Sequence, residues 1–114
     1  MDEGALVDAV AELMKKHRGK TNAIKSAEIA HKFGIPDNDT TRQTRHIIKR
    51  AMEKHGLPIG GLSNGYFIVE NRQELAECAL DLQSRIDRTE ERLMLLKRMF
   101  ESVHGSADAD DEAE

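Results

Sequence analysis

Between Thr40 and His55 the chain carries Arg42, Gln43, Arg45, His46, Lys49 and Arg50, with Thr40 and Thr41 ahead of them. Guanidinium groups can pair bidentately with guanine or phosphate, and a glutamine amide matches adenine. Interleaved with these residues are Thr44, Ile47, Ile48, Ala51 and Met52, spaced as one apolar side of a helix. The segment therefore reads as a helix with one buried side and one cationic side. Gly56 is placed to end it. We expect Thr41, Arg42, Gln43, Arg45 and His46 to meet bases or adjacent phosphates, and Lys49 and Arg50 to meet phosphates. The plainer reading, that any solvated helix face carries Lys and Arg, is weighed down by what flanks the segment.

Before it, Ser26 is placed to cap a short helix over Ala27–Phe33, which Gly34 ends, and Ile35-Pro36 opens a turn. A short helix, a turn and a longer basic helix make a helix-turn-helix. After it come Leu57-Pro58-Ile59, a Gly-rich stretch and Tyr66-Phe67-Ile68-Val69, which predict a hairpin turning at Asn64-Gly65. Its tip has no Lys or Arg, so Ser63 and Asn64 could offer a minor groove hydrogen bonds alone. Farther upstream, residues 4–17 place Leu6, Val7, Val10, Leu13 and Met14 on one side of a first helix, and Ala23-Ile24-Lys25 could form a third short strand. Lys20 and Lys25, with Lys15, Lys16 and Arg18, are candidates for backbone phosphates.

The stretch SAEIAHKFGIPDNDTTRQTRHIIKRAMEKHGLPIGGLSNGYFIV resembles the winged helix-turn-helix modules of phage, plasmid and archaeal regulatory or replication proteins. The likeness covers roughly residues 23–70, with GLPI and GYFI in the place of the wing. It departs from that pattern in a longer turn after Ile35 and one extra residue between Ile48 and Gly56. The resemblance implies binding to double-stranded DNA and names no target.

From Glu70 to His104 there is no proline or glycine. Asn71 and Glu74 form an N-cap signal, so a long helix is expected from Arg72 to the glycine at 105. Ala79, Ile86, Leu93 and Phe100 alternate with Leu75, Leu82, Thr89, Leu96 and Val103 at spacings of three and four, a heptad pattern. It predicts a homodimer through residues 75–103, with Leu82, Ile86, Leu93, Leu96, Phe100 and Val103 in the seam. Leu95 and Met99 widen the apolar side near the far end, which also suits a four-helix arrangement.

Of the 114 residues, those from Lys15 to His55 include 11 Lys or Arg against 4 Asp or Glu, while Ser106–Glu114 has five acids and no base. The overall charge of −4 thus hides a basic centre. The single cysteine, Cys78, excludes an internal disulfide, and the five histidines lack metal-ligand spacing. Phosphate loops, serine elbows and catalytic carboxylate pairs are missing, so an enzyme, a cofactor and a small-molecule ligand are not expected. Nor does any run approach the ~20 apolar residues of a membrane span. The expected architecture is mainly α with a small β-hairpin wing, a winged helix-turn-helix over 1–70, followed by a long C-terminal coiled-coil helix over 71–104 and a disordered acidic tail over 105–114.

The function this implies is a cytoplasmic, nucleoid-associated, sequence-specific DNA-binding protein, a dimeric transcriptional regulator. The rivals are a replication, partition or chromatin-architectural DNA-binding role and a winged-helix protein-interaction module.

Overall fold

The computed structural model describes residues 2–36 and 40–105, with Thr40 and Thr41 described by backbone only. The chain divides into two compact units, Met1–Cys78 and Ala79–Glu114.

In the first unit, α1 (Glu3–Met14) begins where the Asp2 carboxylate accepts a hydrogen bond from the Ala5 amide at 2.7 Å. That bond satisfies one of the amides a helix start leaves open. The helix buries Val7, Val10, Ala11, Leu13 and Met14. It ends at Met14, with the last residue of the apolar pattern and short of the expected 17, and Lys15 and Lys16 form a turn. A 3-10 turn at Lys20–Asn22 follows.

α2 (Ser26–Phe33) starts one residue earlier than expected. Ser26 is not its cap: Lys25 holds that position without a side-chain bond, and the Ser26 hydroxyl has no hydrogen-bond partner. Gly34 adopts the left-handed conformation (φ 67°), and the Ile35 amide returns to the Ala30 carbonyl at 2.9 Å, seating Ile35 in the core. The turn joining α2 to α3 includes residues 37–39, outside the described residues.

α3 (Thr40–His55) packs against both α1 and α2, burying Thr44, Ile47, Ile48 and Ala51. Gly56, again left-handed (φ 64°), ends it. The hairpin pairs β1 (Ile59–Leu62) with β2 (Gly65–Ile68) in antiparallel register, Ile59 opposite Ile68 and Leu62 opposite Gly65. Gly60, Gly61 and Leu62 of the Gly-rich stretch thus belong to β1. Gly60 belongs there for lack of space, since a Cβ would stand 2.6 Å from Cys78 Sγ and 2.8 Å from the Val69 side chain.

The third strand expected at 23–25 reduces to a bridge. Ile24 and Tyr66 exchange two hydrogen bonds of 2.8 Å, and beyond them the Ile68 amide donates to the His17 carbonyl. β2 is therefore held on both edges, and its own Phe67 and Ile68 are buried.

α4 (Arg72–His104) is 33 residues long, about 50 Å at the helical rise. Asn71 accepts from the Glu74 amide at 2.8 Å, and Glu74 reaches back to the Glu70 amide at 2.9 Å. This reciprocal pair is what the Asn71 and Glu74 spacing predicts, shifted by one residue on the return bond. Cys78, in its second turn, is buried against Gly60. In the second unit the rest of α4 exposes its large apolar side chains, and Gly105 ends the helix with φ 85°. The acidic residues 106–114, expected to be disordered, lie outside the described residues.

Candidate nucleic-acid interface

The helical period sorts the polar residues of α3 into two stripes on either side of the direction opposite the core. Arg42, Arg45 and Lys49, spaced three and four apart, form one. His46, Arg50 and Lys54, spaced four apart, form the other. The stripes differ in what stands next to them.

The second stripe faces the acids of α1. The nitrogen His46 Nε2 lies 3.1 Å from Glu3 Oε2, and Arg50 Nη1 donates to the same oxygen. One turn and more along, Lys54 Nζ lies 2.9 Å and His55 Nε2 2.8 Å from Asp8 Oδ1. Each carboxylate has two cationic or potentially cationic neighbours. The Glu3 carboxyl is held below its ordinary pKa, first by the Arg50 hydrogen bond and then by that of His46. Asp8 is lowered likewise by Lys54 and then His55.

The first stripe differs at Arg45 and Lys49. Arg42, Arg45 and Lys49 are exposed. Among the described residues, Arg45 and Lys49 have no ion pair or side-chain hydrogen bond. A guanidinium in that position keeps all five donors for an incoming acceptor. Gln43 is exposed at the amino end of the helix, and the Thr41 side chain lies outside the described residues.

The remaining candidates are distributed unevenly. Lys25 is exposed immediately before α2. Lys20 is turned to α4: its ammonium pairs with Glu77 at 2.6 Å, which raises its pKa, and its backbone amide donates to Glu74 at 2.8 Å. That amide, followed by the Glu70 amide, lowers the pKa of Glu74. Nearby, Arg18 Nε pairs with Glu70 at 3.1 Å, and Lys15 pairs with Glu12 on its own helix. Ser63 and Asn64 sit exposed at the hairpin turn, but the Asn64 amide donates to the Lys20 carbonyl at 2.8 Å. The fold thus brings Arg42, Arg45 and Lys49 together along one stripe, sets Gln43 on the side of His46 and Arg50, and gives Lys20, His46, Arg50 and Asn64 partners within the chain.

Glu3, Asp8 and Glu77 are the participants that the sequence did not disclose. Each lies more than 40 residues from the cation it holds, and no local pattern joins such pairs. The residues expected in the helical seam, Leu82, Ile86, Leu93, Leu96, Phe100 and Val103, are all exposed. Among the described residues no cluster of His, Cys, Asp or Glu could hold a metal ion, and no helix is long and apolar enough to cross a membrane. Comparison with protein-family models, curated proteins and solved structures finds no match.

Proposed function

We propose that the chain is a winged helix-turn-helix protein that binds double-stranded DNA in a sequence-specific manner. In this reading α2 and α3 form the helix-turn-helix, α3 enters the major groove and the β1–β2 hairpin is the wing. The observation that carries it is the stripe of Arg42, Arg45 and Lys49, exposed along one side of a helix whose other side is anchored in the core. Arg42, Gln43 and Arg45, nearer the amino end, read bases. Lys49 meets the phosphate backbone, and Lys25 meets it from the start of α2. His46 and Arg50 contribute only after exchanging Glu3 for a phosphate. Ser63 and the backbone of the turn follow the minor groove without charge, so the wing adds little affinity.

The exposed heptad residues of α4 support a two-stranded coiled coil between two copies, which sets the spacing of two half-sites. The role that fits such a dimer is transcriptional regulation. Selection of bound fragments from random DNA tests the reading: a motif should be enriched, and Arg45→Ala should relax it at one position. Enrichment of nothing would leave architectural binding at many weak sites, and indifference to both salt and Arg45→Ala would leave a protein-interaction module. The pairing is tested separately by Leu93→Asp, which should sediment as a single chain; an unchanged mass refutes the seam.

A further inference from the structure

Along α4 the apolar surface changes width. From Ala79 to Thr89 the seam residues Ala79, Leu82, Ile86 and Thr89 cover an arc of about 80° at 100° per residue. From Leu93 to Val103 the arc runs from Leu93 through Leu96 and Val103 to Met99 and Leu95, about 160°. The added sector is the one that Asp81, Arg85, Arg88 and Arg92 occupy in the preceding turns. Charge flanks the first segment of the seam, and leucine and methionine replace it in the last.

A strict two-position seam is the pattern of a two-stranded coiled coil, whereas an arc widened by a flanking position is that of a helix in a four-helix core. The exposed area points the same way. Nine large apolar side chains on this side of α4, from Leu75 to Val103, are between 39 % and 77 % exposed. At on the order of 100 Å² each they present roughly 1,000 Å², against ~300–600 Å² for the largest patch of a typical monomer and ~800 Å² per partner in a standard pairwise interface. A single partner helix packed on the seam leaves Leu95 and Met99, each about half exposed, still in water.

We infer that the occupant of this extra sector is a second pair of the same chain, so that four copies of residues 93–103 close into a four-helix bundle. This rests on the pairing proposed above and goes beyond it. Arg85, Arg88 and Arg92 confine the second contact to the distal turns, because the same sector nearer Ala79 would set like charges on partner helices against one another.

Sedimentation equilibrium of the full chain tests this, with the double variant Leu95→Lys, Met99→Lys beside it. Both positions are solvent-facing on a helix, so helix content by circular dichroism should not change. The wild type should have the mass of four chains and the double variant that of two. A wild type that remains at two chains over the micromolar range overturns the bundle and leaves the pair standing. A wild type of one chain overturns both, and a double variant still at four chains shows that this sector is not the contact.

Discussion

The two stripes of α3 are built from the same residue types on the same helix, yet they have different surroundings. Arg45 and Lys49 look onto solvent, while His46, Arg50 and Lys54 look onto Glu3 and Asp8. A cation that already has a carboxylate within hydrogen-bonding distance must give up that bond before it can serve a phosphate. One without a partner gives up only water. The lesson is that the charge of a helix does not measure its capacity for an anion; the acids packed beside it decide which cations are available.

The sharpest way to break this comparison is to truncate one arginine from each stripe. Arg45→Ala should weaken binding to the selected DNA by about 1–3 kcal/mol, roughly fivefold to more than a hundredfold, with base preference relaxed at one position. Arg50→Ala should cost clearly less, because part of what it loses is the Glu3 pair within the free protein. Fluorescence anisotropy at one fixed salt concentration measures both. Equal losses would mean that the α1 acids do not restrain their stripe. Neither change should move the thermal midpoint far, since exposed side chains away from special features usually alter stability within about 0.5 kcal/mol.

On the core side of α3 stands Thr44, which is wholly buried and whose hydroxyl has no hydrogen-bond partner among the described residues. A buried hydroxyl without a partner loses its hydration and gains nothing in return. Thr44→Val keeps the branched shape and removes the oxygen, so it should raise unfolding stability by about 1 kcal/mol in urea titration. DNA affinity should stay as it is, because Thr44 points away from both stripes. A loss of stability would place an uncounted partner at that hydroxyl.

Much of the fold was legible because its determinants are local. Gly34, Gly56 and Gly105 each end a helix in a left-handed conformation that other residues rarely adopt, and Asn71 starts one through a bond three residues away. The hairpin forms where it is predicted, but its turn residues are Ser63 and Asn64, one position before Asn64-Gly65, and Gly65 opens β2, where a Cβ would press into the Ile24 carbonyl. What was not legible depends on residues distant in sequence. Gly60 and Gly61 look like a loop until Cys78 and the Tyr66 ring close on them, leaving no room for a side chain in the strand. Ser26 looks like a cap, but its hydroxyl makes no bond in the helix it begins. In the site, the cationic helix could be read from periodicity, whereas its division into two stripes could not. That division comes from the docking of α1, and the pairing of Lys20 with Glu77, 57 residues away, is hidden in the sequence for the same reason.

The smallest effects should come from the α1 acids themselves, and they separate the stripes by pH. Glu3 and Asp8 have folded pKa values below their ordinary ones, so each contributes stability above the ordinary carboxylate range and loses it as pH falls through the folded value. Both side chains are half exposed, so the contribution is small. Glu3→Gln should lower the thermal midpoint at neutral pH by no more than a few degrees, and the difference should vanish in acid, where the wild-type carboxyl is also uncharged. The same variant should bind DNA a few-fold more tightly at neutral pH, with the salt slope steeper by about one ion, because Arg50 becomes available to a phosphate and a nearby negative charge is gone. An Arg45→Ala, Glu3→Gln double variant should recover only that few-fold gain. If instead it restored full affinity and base preference, the two stripes would be interchangeable, and the contrast between them would have no functional meaning.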